Sequence, residues 1–369
     1  MTQNNEIRWV RLGDYITQRR EKNNNYDVPI LGVTRDGFIP PKQEGADTSL
    51  YNVFYKYDFV FNPARMELNS IYLNVEYDKA ICSSLYEIFY VNKPEELLPE
   101  YLNLFIKRNE FARFCWYDAM GSARNYFRVA NMQDMRVPLP SPEKQRELVA
   151  TWKGLRDMKE QNEALAAPLM QLCQSRLQEL KHTYPLTEIG PYIEQCDERN
   201  SDKQYGVDSV MGVSIGKKFI STKADMTGVS LTPYKLVKPN EFCFVTVTSR
   251  NGGKISLALN QSDDTYIVSS SYEVFRVIDE EKVCPGFLYL WFCQSEFDRY
   301  ARFHSWGSAR ETFSYESMER VEVPLPSIKE QEAIVNIYKC AAECKRIAEE
   351  ADRLSREICP ALMQKAIRG

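Results

Sequence analysis

The sequence predicts an α+β protein: two α/β domains in pseudo-twofold tandem repeat, separated by two long antiparallel coiled-coil helices. Three observations predict it. Motifs of four or more residues return 186 residues apart, short strands and a helix follow one another in the same order in both halves, and each half is followed by a long polar stretch with an apolar heptad.

The repeat is explicit. GSAR at Gly121–Arg124 returns at Gly307–Arg310, and VPLPS at Val137–Ser141 returns at Val323–Ser327, each time followed by a glutamine, Gln145 or Gln331. Upstream, SSLYEIF at residues 83–89 matches SSSYEVF at residues 269–275. A period this long exceeds any solenoid unit, so it marks two copies of a whole domain. Gly13 and Tyr15 match Gly190 and Tyr192 at an offset of only 177, so the second copy carries nine extra residues, expected in loops where recognition diverges. Two similar domains on one chain suit a target with two related but unequal halves, which a symmetric dimer does not read. A bipartite nucleic-acid site is the first such target.

The elements follow in order. Residues 1–140 alternate β-branched and aromatic runs with turn residues, predicting strands at 28–33, 54–61, 70–75 and 79–91 and a helix at 99–116. The pairs Tyr86-Glu87 and Tyr272-Glu273 fall inside strands and read as core. Residues 141–184 form a central spacer helix, with Ser141 as N-cap and Pro142 at its first position. Residues 185–326 repeat the first order, with strands at 207–213, 241–247, 254–259 and 265–277 and a helix at 285–303. Residues 327–369 form the C-terminal spacer helix, opened by a capping box of Ser327 and Glu330.

A heptad seam runs along each helix: Ile334, Ile337, Ala341, Cys344, Ala348, Ala351, Ser355, Ile358 and Leu362 in one, and Leu148, Thr151, Leu155, Met158, Asn162, Leu165, Leu169 and Leu172 in the other. Small residues on one seam facing large ones on the other predict close packing. Helices of ~40 residues are ~60 Å long at 1.5 Å per residue, a natural ruler. Pro168 is expected to kink or interrupt the first. The tripeptide LMQ recurs 193 residues apart, one heptad beyond the main offset, which preserves the seam.

Composition bounds the function. Of 369 residues, 44% are hydrophobic, enough for a core in each domain. Ten cysteines at irregular spacing, without CxxC pairs or a secretory leader, indicate a reducing cytoplasm, and no apolar run approaches the ~20 residues of a membrane span. The net charge of −4 argues against a broadly basic DNA binder, so a DNA-binding face would be a local cleft of Arg and Lys, with partner subunits adding phosphate contacts. Only His182 and His304 are histidines, and neither has a metal-spaced partner; no phosphate loop, dinucleotide fingerprint or nucleophile elbow occurs. No cofactor or metal is expected.

With these motifs in view, the chain resembles the specificity subunits of type I restriction-modification systems over essentially its whole length. The residues that carry the resemblance are the PLP-x-x-x-x-Q junctions at Pro138–Gln145 and Pro324–Gln331, the GSAR loops before them, FVFNPARM at Phe59–Met66 and FVTVTSRNGGKIS at Phe244–Ser256. The resemblance implies a non-catalytic DNA reader: residues 1–140 and 185–326 are target-recognition domains, each reading one half of a split sequence in the major groove, with the antiparallel helices fixing the gap. It further implies double-stranded DNA, two DNA methyltransferase subunits and restriction subunits as partners. The junctions read LPS where many relatives have a second proline. The alternatives are the specificity chain of a fused type IIB-like nuclease-methyltransferase and a duplicated scaffold that does not bind DNA.

Candidate base readers sit where strands end: Asn62 and Arg65 in one copy, Thr248, Ser249, Arg250 and Asn251 in the other, because Arg pairs with guanine and Asn with adenine in the major groove. Contact with phosphate is the competing role for each Arg. Arg124 and Arg310, each in a Gly-Ser-Ala-Arg turn, suit phosphate contact or bracing of the domain against the helices. Arg19, Arg20, Arg35, Lys217 and Lys218 are further DNA-contact candidates, with ordinary solvated charge as the alternative. Val149, Trp152, Val335, Tyr338 and Ile347 lie off the strict seam and are candidates for subunit docking, or for a wider stripe against the domains.

Overall fold

Each half of the chain is closed by its own ends. The opening strand Arg8–Arg11 pairs antiparallel with Arg136–Leu139, and Leu186–Glu188 pairs in the same way with Glu322–Pro324. The PLP motif is thus the strand that shuts the domain. The computed structural model describes residues 8–24, 27–41, 47–119, 126–222, 224–248, 252–307 and 310–368. Its contacts divide the chain into two units, residues 1–161 with 347–369, and residues 162–346.

Inside each unit the sheets repeat strand for strand. The first has a four-stranded antiparallel sheet in the order Ile16–Arg19, Glu87–Val91, Asp58–Phe61, Ile71–Leu73; the second has Ile193–Cys196, Tyr272–Val277, Phe242–Val245, Leu257–Leu259. Two-stranded ribbons Asn52–Tyr55 with Lys79–Cys82, and Lys235–Val237 with Tyr266–Val268, accompany them. Small hairpins Gly32–Val33 with Phe38–Ile39, and Met211–Val213 with Phe219–Ser221, complete the set. Phe59 stacks on Phe89 at 4.8 Å, and Phe242 stacks on Phe275 at 4.8 Å. Matching register and matching ring stacks show that the duplication includes the packing of the core.

Several predicted strands divide in two. The 54–61 run breaks at Tyr57, whose φ of 67° makes a turn, and the 79–91 run breaks between Cys82 and Glu87. The helix expected at 99–116 is two, Pro99–Ile106 and Asn109–Ala119, as is its counterpart, Pro285–Phe292 and Ser295–Phe303. Glu87 and Glu273 are half-buried rather than core. Glu87 accepts from the Val129 backbone at 2.9 Å, and Glu273 accepts from Lys235 at 3.0 Å.

The central helix Pro142–Thr183 runs through Pro168 without interruption. Its seam differs in phase from the sequence expectation. Leu148, Leu155, Asn162 and Leu169 face inward as expected, but the alternate inward positions are Trp152, Lys159, Ala166 and Cys173. Met158, Leu165 and Leu172 turn outward, 47%, 55% and 47% exposed. Steps of three and four fit the same heptad in either order, and apolarity chose the wrong one because the inward side takes residues with tertiary partners. Lys159 pairs with Asp352 at 3.1 Å, and Cys173 approaches the Ile334 carbonyl at 3.9 Å. On the helix Ile328–Arg368, the expected seam positions from Ile334 to Ser355 are buried or half-buried. In the second unit Cys173 meets Ile334 and Arg176 meets Glu330, so the two helices run antiparallel there. Glu330 does not act as the expected capping-box acid; its oxygens accept from Arg176 at 3.1 Å and from the Tyr184 hydroxyl at 2.9 Å.

The glutamine of each junction is the bolt of its domain. Gln145 is fully buried, accepts from the Leu98 amide at 2.8 Å, and donates to the carbonyls of Glu96 at 2.7 Å and Pro140 at 2.9 Å. Gln331 repeats this with Cys284, Lys282 and Pro326, all at 2.9 Å. Only an amide supplies one acceptor and two donors at this position. Replacing Gln331 by Leu takes the partner from the buried Pro326 carbonyl and from two half-buried backbone groups, so urea unfolding should show the second unit destabilised by about 2–3 kcal/mol.

Candidate nucleic-acid interface

The candidate reading loops leave the middle of each main sheet. Strand Asp58–Phe61 delivers Asn62, whose side chain accepts from the Ala64 amide at 3.1 Å and caps the 3-10 turn Pro63–Leu68. Asn62 is therefore half-buried and occupied locally, a cap before it is a base reader. Arg65 departs from helical geometry at φ −138° and ψ 29°, and its side chain is exposed. Asn69, left-handed at φ 52°, closes the turn and donates to the Ile106 carbonyl at 3.0 Å. The Phe127 amide donates to the Pro63 carbonyl at 3.0 Å, so the chain leaving the first GSAR segment is held against the Arg65 loop.

The second unit brings the same two segments together more tightly. Phe313 donates to the Thr246 carbonyl at 2.8 Å, and Thr248 donates to the Glu311 carbonyl through its amide at 3.0 Å. Trp306 and Thr312 exchange both backbone bonds, so the GSAR loop is a closed tongue. Gly307 sits at φ +144°, and a Cβ there would strike the Arg310 carbonyl, which explains the glycine of the motif. Arg310 is exposed at the tip. Arg124, Ser249, Arg250 and Asn251 lie outside the described residues.

Thr248 is a correction. It is buried, with its hydroxyl on the Glu311 carbonyl at 3.3 Å, so it anchors the loop and does not face a base. Lys217 is a second correction: its ammonium is buried and paired with Asp298 at 2.6 Å and the Ile255 carbonyl at 2.9 Å, inside the domain and away from any phosphate. Arg19 is a third, half-buried between the rings of Tyr55 and Tyr90 and paired with Asp58 at 2.6 Å. Arg20 remains exposed, bonded to Gln18 at 2.7 Å, and Arg35 and Lys218 are exposed at the tips of the small hairpins.

Among the docking candidates, Val149 and Val335 belong to the two domain cores, Val335 packing against Gly286. Trp152 and Tyr338 are half-buried against those same cores, and Ile347 is half-buried on the C-terminal helix. The first four complete the stripe against the domains, because a helix docked on a sheet domain needs a wider apolar face than a coiled-coil seam does.

The sequence reading missed two features. Tyr117 and Phe303 occupy equivalent positions 186 residues apart, 75% and 72% exposed, just before each GSAR segment. The repeat itself carried that signal. The second is the hairpin GVTRDGFI at 32–39, returning with one added residue as GVSIGKKFI at 212–220. Its tip lies against the strand that leaves the reading loop. In the first unit Lys107 donates to the Ile71 carbonyl at 2.8 Å and also to the carbonyl of Arg35. Burial pushes the Lys107 ammonium down to about 8, against the opposing pull of Asp36.

Among the described residues no group of three or more His, Cys, Asp or Glu is placed to hold a metal ion, and no helix is long and apolar enough to cross a membrane. Both copies of the sheet domain tie the loop that leaves the central strand to the segment beside the GSAR motif, through Phe127 to Pro63 in the first and Phe313 to Thr246 in the second. The family model of the type I restriction modification DNA specificity domain matches residues 181–347, and the first half repeats the same scaffold. Residues 181–347 are therefore similar to the DNA specificity domain of type I restriction-modification systems.

Among solved structures, the S subunit of a type I restriction-modification system from M. genitalium is similar at 13% identity, with 99% of this chain and 98% of that chain covered and a TM-score of 0.59. The HsdS subunit from Thermoanaerobacter tengcongensis is 18% identical over 98% of this chain and 97% of that one, with a TM-score of 0.45. No curated protein matches.

Two outcomes follow from the buried lysines. Lys217→Met strands Asp298 without its cation, and urea unfolding should show the second unit weakened by about 3–5 kcal/mol. Lys107 has its folded pKa below its unfolded one, so the folded state binds fewer protons between pH 8 and 10 and gains stability as pH rises through that window. The urea midpoint of the wild type should therefore rise relative to that of Lys107→Met between pH 7 and 9.5.

Proposed function

We propose that this chain reads a split, asymmetric DNA sequence, one half with each sheet domain, and docks two DNA methyltransferase subunits and through them restriction subunits, in the cytoplasm. The observation that carries this is a conserved scaffold with unequal loops. Between the paired strands Phe61↔Ile71 and Phe244↔Leu257 the reading loop is three residues longer in the second unit, while the sheets around it keep one register. A scaffold built twice with different loops is what two unequal half-sites require. Arg65 and Arg20 in the first domain and Arg250, Asn251 and Lys218 in the second are the proposed base and phosphate contacts, with Arg124 and Arg310 on the backbone.

The exposed Tyr117 and Phe303, beside otherwise charged tongues, suit apolar contact with sugars and bases. Residues common to both copies contact what both half-sites share. For the partners, the outward stripe of Met158, Leu165 and Leu172 replaces the residues now placed in the cores. The central helix, 42 residues and so ~63 Å at 1.5 Å per residue, is long enough to set a gap of several base pairs between the halves.

Deleting this gene in a host with intact methyltransferase subunits should erase adenine methylation at one split motif; an unchanged methylation map would overturn the function. Exchanging residues 1–140 for those of a relative should change one half-site only. Adding one heptad to both long helices should change the gap and leave both half-sites as they were.

A further inference from the structure

We propose that Lys107 and Lys217 are positioning residues for sequence reading: the ammonium of each, half-buried in Lys107 and buried in Lys217, ties a hairpin tip to the strand leaving the reading loop, and each acts on one half-site alone. The inference rests on the DNA-reading function above.

The geometry is explicit in the second unit. The hairpin tip turns back at Lys217, which adopts φ +61° and points its side chain inward while Lys218 stays exposed. The Lys217 ammonium donates to the Ile255 carbonyl at 2.9 Å and to Asp298 at 2.6 Å, and Asp298 in turn accepts from the Ile255 amide at 3.2 Å. Both backbone groups of Ile255 are therefore held by one ion pair. The Tyr289 hydroxyl donates to the Lys217 carbonyl at 3.0 Å, fixing the tip from its other side, and the ammonium lies 5.3 Å from the Phe297 ring. Ile255 follows the segment that carries Arg250 and Asn251, so the pair sets where that segment ends.

The first unit reaches the same result with a different lysine. Lys107, at the end of helix Pro99–Ile106, donates to the Ile71 carbonyl at 2.8 Å and to the Arg35 carbonyl at the hairpin tip, with the Tyr72 ring 5.3 Å away. Ile71 begins the strand after the Arg65 loop. Ser70 adds a bond from its hydroxyl to the Val33 carbonyl at 3.0 Å, binding the same loop exit to the same hairpin.

The position equivalent to Lys107 in the second unit is Cys293, 186 residues on, and the first hairpin has Gly37 near the place of Lys217. Neither lysine is inherited from the common ancestor of the two halves in a shared position, yet both join hairpin tip, loop exit and helix pair. Each ammonium comes from a different element and commits two of its three donors to this junction, so both units hold the loop exit by side-chain bonds reached independently. Rigid support of recognition side chains is what discrimination between bases demands, because a loosely held Arg contacts right and wrong bases alike.

The test uses the full chain in its host with its methyltransferase partners. The wild-type gene first defines the methylated split motif. Lys107→Met keeps the side-chain stem and strands no carboxylate; Lys217→Met is made together with Asp298→Leu so that no buried charge is left alone. Methylation maps, with thermal unfolding of the purified chains as the control for folding, should show at least tenfold more methylation at single-base variants of the first half-site for Lys107→Met, the second half-site remaining strict, and the converse for the double variant. Lys107→Arg, which keeps a donor, should restore strict reading. Unchanged discrimination at both half-sites in a folded Lys107→Met chain would overturn the inference while leaving the DNA-reading function intact, and so would equal loosening of both half-sites. Absence of any gene-dependent motif with the wild type would overturn both.

Discussion

Everything in this chain hangs on a buried amide side chain, used once per half. Gln145 and Gln331 sit where a closing strand turns into a long helix, and each binds three backbone groups from the turn and from the segment before the first domain helix. The Pro140 and Pro326 carbonyls would otherwise be buried without a partner, at a cost of about 1–3 kcal/mol each. The glutamine therefore couples the direction of the long helix to the body of the sheet domain. A ruler is useful only if it is rigidly attached to what it spaces.

That coupling divides labour along the sequence. Features that attach, close or brace the domain are the same in both copies: the PLP strand, the glutamine, the Phe pair stacked at 4.8 Å, and the glycine that lets the second tongue turn. Features that face outward from the middle of the sheet differ, in loop length and in the side chains presented. Some of the positive side chains are committed to internal pairs. Arg19 with Asp58, Lys217 with Asp298 and Lys235 with Glu273 are structural ions.

The two units solve one mechanical problem by unlike means. The loop exit must be held between hairpin and helices; one unit uses an ammonium from the helix end bonded to two carbonyls, and the other uses an ammonium from the hairpin bonded to a carboxylate. The difference in chemistry has a consequence for stability. Lys107 has no carboxylate bonded to its ammonium and is pushed down to about 8, whereas Lys217 is supported by Asp298 against the same effect of burial.

The sequence by itself determined the duplication, the order of elements and the domain-closing junctions, because a 186-residue repeat of short motifs survives without any knowledge of contacts. It also singled out Arg65 and Arg310, both of which are exposed. Only the tertiary structure decided which charges are buried and which helix face turns inward. Lys217 and Lys218 are indistinguishable as neighbouring letters, and a single backbone angle of +61° sends one into the core and leaves the other outside. Met158 and Lys159 exchange their expected places for a related reason: Asp352, distant in sequence, receives the lysine, and hydrophobicity is a local property that cannot register a partner 193 residues away.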